Sequence, residues 1–361
     1  MLRVLELFAG IGACSKALER LGIEHEIVDA VEIDKYAIKS FNAIHGTSFE
    51  PQDIRDWDKD IQVDLVMHGS PCQDFSVAGK GAGGDEGSGT RSSLMYETLR
   101  IVEKLKPEIV IWENVKNLWG KKHRHNWENY VEKMGELGYD SAAKIINARD
   151  CGIPQNRERL FTISIKRGSE LVDSFMFPEP MPLEKRLKDM LEDEVDEKYY
   201  LSEKAIESLL YQSQKQKDKG NHFEFKPRDI DSFASCISTR SGQRKTDNFI
   251  RVKNATRGGY MDAYDGDGVD CSFLSSETRR GRVQHQMAQT IPAASPAIGV
   301  NDKMRIRKLT PLECWRLMGF DDGDFRKAEK VCSASQLYKQ AGNSIVVNVL
   351  ERIFKGFEWK V

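Results

Sequence analysis

Over its first 165 residues the chain alternates short apolar runs with segments of helical period, and this rhythm restricts the fold more than any other feature. The runs are Arg3 to Phe8, Glu26 to Val31, Val63 to His68, Glu108 to Trp112 and Leu160 to Ile165. Strands so rich in Val, Ile and Leu on both faces belong in a mainly parallel sheet covered by helices on each side. The expected fold class is α/β with a Rossmann-like sheet. Ligands of such sheets lie beyond the carboxyl ends of the strands.

From about Ser169 the rhythm breaks. The stretch "FMFPEPMPLEKR" leads into a highly charged segment, after which Ile206, Leu209, Leu210 and Ser213 recur at helical spacing behind a candidate N-cap, Ser202. Residues 230 to 305 are rich in Gly, Ser, Thr and Arg, with short β-prone pieces such as "NFIRV" and "CSFL". They read as a second, smaller, irregular β-rich domain. Near the end of the chain Ile345, Val346, Val349, Leu350, Ile353 and Phe354 fall on one face of a helix behind "AGNS". That face needs a surface, and the flank of the first strand is the expected docking place. The first domain is therefore expected to be discontinuous, 1–180 plus 325–361, with 181–324 as the second domain.

A net charge of −2 with 30% charged residues excludes a globally polycationic chain, so any nucleic-acid surface must be local. The seven cysteines form no CxxC pair and have no accompanying histidine spacing, so neither a zinc site nor a disulfide framework is expected, and no metal. The apolar run in "MLRVLELFAG" is too short for a signal peptide, and no stretch approaches the roughly 18 apolar residues of a membrane span. A cytoplasmic protein with reduced thiols is the expectation.

The first strand runs into "FAGIGACS", with Gly10 and Gly12 in a tight strand-to-helix turn, and Glu32 ends the second strand. Glycine lets backbone approach a ligand closely, and an acid at the second strand tip can accept from ribose hydroxyls. The turn continues as Ala13, Cys14, Ser15 and does not complete GxGxxG, so a plain tight turn and a nicotinamide dehydrogenase both stay open at this point. Asp53, in "QDIRDWD" at the end of a candidate third strand, is a candidate partner for an adenine amino group; an exposed loop aspartate is the alternative.

Three further motifs flank expected strands and so converge on one sheet edge: "GSPCQDFS" (69–76), "ENV" (113–115) and "QNRERL" (155–160). With these the chain resembles the cytosine-5 DNA methyltransferase family of bacterial or phage type. The resemblance runs in order from Phe8 to about Ile165. It resumes from Arg305 to Leu350 through "RKLTPLECWRLMGF" (307–320) and "YKQAGNSIVVNVL" (338–350). It implies a methyltransferase domain and a target-recognition domain. It also implies S-adenosylmethionine as cofactor, and methyl transfer to C5 of a cytosine flipped out of a specific double-stranded DNA sequence.

Cytosine C5 is too weak a nucleophile to attack a sulfonium methyl group unless a thiolate first adds to C6 while N3 is protonated or hydrogen-bonded. The resemblance assigns Cys72 as that thiolate, Glu113 as the N3 partner, Arg159 to the cytosine O2 and Arg157 to the same pocket. It assigns Phe8, Gly10, Gly12, Glu32, Asp53, Ile54, Pro71, Leu94, Asn343 and Ser344 to the cofactor, with Phe8 against the adenine. Ordinary core packing is the alternative for Phe8 and Leu94.

The glycine-dense "VAGKGAGGDEGSGTRSS" just after Cys72 suits a loop that closes over a flipped base. Between Cys236 and Met261 stand six basic residues, Arg240, Arg244, Lys245, Arg251, Lys253 and Arg257, against one acid, Asp247. This strip, with Arg279 and Arg280 of "TRRGR", is the candidate DNA surface. Asp262, Asp265, Asp267, Asp270 and Glu277 then reverse the sign, so a solvated charge-alternating face is the alternative. "KKHRH" (121–125) reads as a solvated loop.

A dehydrogenase leaves Cys72, Glu113 and the arginines without a task. A cytosine-5 RNA (tRNA) methyltransferase is the alternative function, against which stands the second domain with its basic strip. A monomer is expected, since one site per base needs no symmetry; a restriction endonuclease counterpart is a possible partner.

Overall fold

Leu2–Leu7 (β1) buries Val4, Leu5 and Leu7 together with Glu6, as a strand covered on both faces must. It is followed by Ala13–Arg20 (α1), His25–Val31 (β2), Lys35–His45 (α2), Leu65–His68 (β3), Met95–Leu105 (α3) and Ile109–Val115 (β4). Then come Arg124–Glu136 (α4), Tyr139–Asn147 (β5), Gln155–Asn156 (β6), Glu158–Lys166 (β7) and the short Leu171–Ser174 (α5). This computed structural model describes residues 1–71, 75, 84–85, 87–219, 225, 227–228, 230–239 and 306–359, with short strands at 249–251, 268–270, 283–284 and 298–300.

Six strands form the central sheet in the order β2-β1-β3-β4-β7-β5. β1 to β4 pair in parallel, and β7 runs antiparallel to both β4 and β5. The mainly parallel Rossmann-like sheet expected from the rhythm is what forms. β5 is absent from the expected strands because its burial alternates and Asp140, Ser141 and Lys144 interrupt any apolar run. The candidate strand ending at Asp53 does not form either. Residues 51–53 have no regular structure, and a turn follows at 54–56, closed by Asp56 N–H donating to Asp53 O at 3.1 Å. Pro51 and the charges of "QDIRDWD" suit a turn better than a buried strand.

Two units are distinguished by their internal packing. The first comprises Met1–Met190, Ala234–Ser241 and Pro311–Val361, and the second Leu191–Phe233 and Gly242–Thr310.

In the first unit Ala234–Ser235 (β8) pairs in parallel with β6. The C-terminal stretch folds as Pro311–Leu317 (α7), Asp322–Glu329 (α8), Ala334–Asn343 (α9) and Val347–Phe354 (α10). α10 buries Val347, Val349, Leu350, Ile353 and Phe354 and packs against α1, with Arg20 and Glu351 paired at 2.8 Å. β1 offers no open flank, because β2 and β3 pair on either side of it, and the helix packs instead on α1 and on the turn at 148–151. Lys16 of α1 fixes the neighbouring α8. Its ammonium, 7% exposed, lies 3.1 Å from Asp324 and 3.3 Å from Asp321.

In the second unit Glu203–Asp218 (α6) starts at Ser202, whose hydroxyl accepts from Ala205 N–H at 3.3 Å. Leu209 packs with Phe225, Leu201 and Ile206, whereas Leu210 is exposed. The short strands Phe249–Arg251 (β9) and Ile306–Lys308 (β13) pair antiparallel, as do Gly268–Asp270 (β10) with Val283–Gln284 (β11) and with Ile298–Val300 (β12). Among the described residues no helix is long and apolar enough to cross a membrane.

Candidate active site

The loop leaving β1 is built from backbone in the left-handed region. Phe8 has φ 54°, Gly10 58° and Gly12 80°. For a phenylalanine this is a strained conformation, of the kind that persists where the surroundings impose it. Glu32, just past β2, holds the loop: Gly10 N–H donates to its Oε2 at 3.0 Å and Asp34 N–H to its Oε1 at 2.8 Å. Burial pushes the Glu32 carboxyl up, against these two backbone donors.

The two glycines differ. A Cβ at Gly10 would meet open space, whereas one at Gly12 would overlap the His45 ring and Phe41 of α2. Beneath the loop Glu6 accepts from the backbone and hydroxyl of Ser15, and burial pushes its carboxyl up to about 7.

The cavity at this sheet edge is lined by Glu6, Phe8, Gly10, Gly69, Glu113 and the run Asn343, Ser344 and Ile345, together with Met67, Ala13 and Cys14. Phe8, Gly10, Asn343, Ser344 and Glu113 are thus brought together. Gly12, Glu32, Asp53, Ile54, Pro71 and Leu94 are not in its wall. Asp53 is paired with Arg55, Nε to Oδ1 at 3.0 Å, and that guanidinium holds its carboxyl below the usual range. Ile54 is buried, and Leu94 packs against the same core cluster. Ile33, directly after Glu32, is an isoleucine with 66% of its surface exposed.

The other half of the site is made of charged side chains. Glu113, on β4, lies 3.0 Å from Nε of Arg159 on the adjoining β7, with 13% and 19% of the two side chains exposed. Burial pushes the Glu113 carboxyl up, with Arg159 and Arg157 pulling the other way.

Arg157 is buried and directs its guanidinium to backbone carbonyls: Nη1 donates to Ile237 at 3.0 Å, and Nη2 to Gly342 at 3.1 Å and Ser344 at 2.8 Å. Gln155 repeats this clasp, donating to Leu317 O at 2.7 Å and accepting from Ile237 N–H at 2.9 Å. A Cβ at Gly342 would overlap the backbone of Ser238 and Thr239, so the glycine of "AGNS" serves a close chain crossing. Cys236 sits against both arginines, its sulfur 3.3 Å from Arg157 Nη1 and 3.7 Å from Arg159 Nη2.

Cys72 lies outside the described residues, as do 77–83 and 86 of the glycine-dense loop. Ser70, just before Cys72, is held to β4, its Oγ accepting from Trp112 Nε1 at 3.0 Å and its carbonyl from Asn114 Nδ2 at 3.3 Å. Of the candidate DNA contacts, Arg240, Arg244, Lys245, Lys253, Arg257, Arg279 and Arg280 also lie outside the described residues, and Arg251 is described only as backbone, opposite Ile306.

Ser70, Asn114, Gln155, Gly342, Glu6 and Cys236 had no role in the sequence reading. Five of them belong to quoted motifs or strands, so position in a motif was their available signal. Cys236 had none.

The model of the family described as C-5 cytosine-specific DNA methylase matches residues 2–359. The chain is 32% identical to the orphan methyltransferase M.SPRI of Bacillus phage SPR, with 98% of this chain and 97% of that protein covered. It is also 32% identical to the type II methyltransferase M.HhaI of Haemophilus parahaemolyticus, with 98% and 93% covered. Among solved structures, a DNMT2 mutant from Spodoptera frugiperda superposes with a TM-score of 0.69 at 19% identity over 99% of each chain. The Schizosaccharomyces pombe Dnmt2 methyltransferase gives 0.65 at 20% identity over 98% of this chain and 97% of that one, which speaks to the fold. The chain belongs to the C-5 cytosine-specific DNA methylase family and is a DNA cytosine-5 methyltransferase.

Proposed function

We propose that the enzyme transfers the methyl group of S-adenosylmethionine to C5 of a cytosine flipped out of a specific DNA duplex, through a covalent bond between Cys72 and C6. The observation that carries this reading is the half-buried Glu113–Arg159 pair beside a cavity walled by Phe8, Gly10 and Asn343 to Ile345. When bound, S-adenosylmethionine supplies a methyl group on a positively charged sulfur.

The residues present fit that cofactor. The Phe8 ring and the exposed Ile33 offer apolar surface to an adenine, and the open side of Gly10 admits backbone close to a ligand. Each Glu32 carboxylate oxygen accepts one backbone N–H and keeps a lone pair for a ribose hydroxyl. Glu6 and Glu113 place carboxyl groups on a cavity that receives a cation.

On the base side, the Cys72 thiolate adds to C6 and negative charge builds on the ring. Its raised carboxyl lets Glu113 carry the proton that N3 takes. Arg159 holds Glu113 and meets the cytosine O2, while Arg157 keeps the 236–237 and 342–344 segments against the pocket. C5 then takes the methyl group; as the C5 proton is lost the C6–S bond breaks, Cys72 leaves as thiolate, and N3 returns its proton to Glu113, which restores the neutral base. Both ring carbons are hidden in a stacked pair, so flipping is required, at a cost of a few kcal/mol.

The first unit serves as the catalytic domain and the second as the target-recognition domain; Arg240 of the first unit and Arg244, Lys245, Arg251, Lys253, Arg257, Arg279 and Arg280 of the second contact the DNA. The enzyme acts in the cytoplasm as a monomer. The relatives include orphan and type II methyltransferases, so a restriction endonuclease sharing its target is sought by digest protection.

Methyl-transfer assays on duplex DNA and transfer RNA, followed by bisulfite sequencing of host DNA, test this reading. Duplex DNA should be methylated at one recurring sequence, and Cys72→Ala should leave it unmodified. Preferential labelling of transfer RNA would reject it.

A further inference from the structure

Cys236 is the described free cysteine that is exposed, whereas Cys14, Cys151 and Cys314 are buried and Cys332 is half-buried. It is also the one held by two guanidinium groups, Arg157 Nη1 at 3.3 Å and Arg159 Nη2 at 3.7 Å. The cluster holds a spare donor, since Arg157 Nε is buried and has no partner. Desolvation of the sulfur alone would push this thiol up, and the two arginines outweigh it and hold it below an ordinary thiol. Arg159 in turn holds Glu113 at 3.0 Å, so the sulfur is one residue removed from the proposed proton donor.

We propose that Cys236 is a modification site for hydroperoxides, and that its oxidation to a sulfenic acid disengages Arg159 from Glu113. The Cys236 thiolate attacks one peroxide oxygen, the S–O bond forms as the O–O bond breaks, and the departing hydroxide or alkoxide takes a proton. Sulfur is oxidised by two electrons and the peroxide reduced by two. A small thiol reverses the change: it displaces the sulfenic oxygen as water to give a mixed disulfide, and a second thiol releases Cys236. The new oxygen is a stronger acceptor than sulfur and draws the guanidinium N–H groups to itself. The consequence for catalysis rests on the methyltransferase reading, but the modification does not.

The test has two arms. In the first, the protein receives substoichiometric hydrogen peroxide with dimedone, and labelling at each cysteine is read by peptide mass spectrometry. Cys236 should label about tenfold faster than Cys332, and Arg159→Gln should slow it severalfold. Equal labelling of Cys236 and Cys332, or no effect of Arg159→Gln in a variant with an unchanged thermal transition, overturns the site.

In the second arm, wild type and Cys236→Ser receive the same peroxide pulse, and each is compared with its own untreated activity. Wild type should lose most of its methyl transfer and regain it with dithiothreitol, while Cys236→Ser loses markedly less. Equal loss in both proteins overturns the coupling to Glu113 and assigns the sensitivity to another thiol. The first arm reads no methyl transfer, so a failure of the proposed function leaves its outcome intact.

Discussion

The two halves of the site are built from different materials. The half formed by the tips of β1 and β2 is a matter of backbone: three left-handed residues, Phe8, Gly10 and Gly12, with Gly10 N–H bonded to Glu32 and Gly12 packed on α2. The half formed by β4 and β7 is regular strand carrying charge, with Glu113, Arg157 and Arg159 meeting at its end. A site that must admit a ligand's flat face needs room and close backbone, and glycine or strained geometry supplies them. A site that must move a proton needs a titratable group whose environment sets its affinity for that proton. The first half should therefore fail through sterics and strain, and the second through charge with the fold intact.

The largest effect expected from this contrast is on the charged half. Glu113→Gln keeps the shape and removes the acid, so kcat should fall about 10²- to 10⁴-fold with an unchanged thermal transition. A matching loss of stability would break the contrast. On the backbone half, Gly12→Val puts a branched side chain into His45 and Phe41 at φ 80°, and should cost about 4 kcal/mol in urea unfolding.

Glu6 sharpens the comparison through pH. Its carboxyl is raised to about 7 in the folded protein, above its unfolded value near 4.5. The folded state therefore binds this proton more tightly. The stability it contributes is fully present below pH 4.5 and is lost as pH rises to about 7. Removing the titration with Glu6→Gln should flatten that decline, a relative gain of about 3 kcal/mol at pH 8 over pH 4. Parallel melting curves for variant and wild type across this range would refute it.

Gly10→Ala is the mildest change. Only left-handed strain of about 1 kcal/mol is added, because a Cβ there meets open space, yet cofactor affinity by calorimetry should drop about tenfold.

The contrast also governs what could be read in advance. Repeated Val, Ile and Leu runs declare a parallel sheet, because burial on both faces leaves its mark on every residue of a strand, and the fold class follows. β5 was invisible, since an edge strand needs fewer apolar residues. Motif adjacency to strand ends was enough to bring Glu113 and Arg159 to one edge, where they pair. Phe8's backbone angle has no sequence signature. Gly12's reason for being glycine lies in His45 and Phe41, over twenty residues away. The charges of Asp53 and Arg55 gave no hint that they would take each other as partners. Cys236 owes its setting to a chain crossing from 234–239 to Gly342, a contact that no local pattern encodes.

The claim on which the function rests is that Cys72 forms a bond to C6 of an extruded cytosine. A duplex carrying 5-fluorocytosine at the mapped target, incubated with enzyme and S-adenosylmethionine, tests it directly, because fluorine cannot leave as the C5 proton does. The prediction is an adduct that survives denaturing electrophoresis, maps to the Cys72 peptide and is absent from Cys72→Ala. Absence of any adduct while the folded enzyme binds both duplex and cofactor would contradict it.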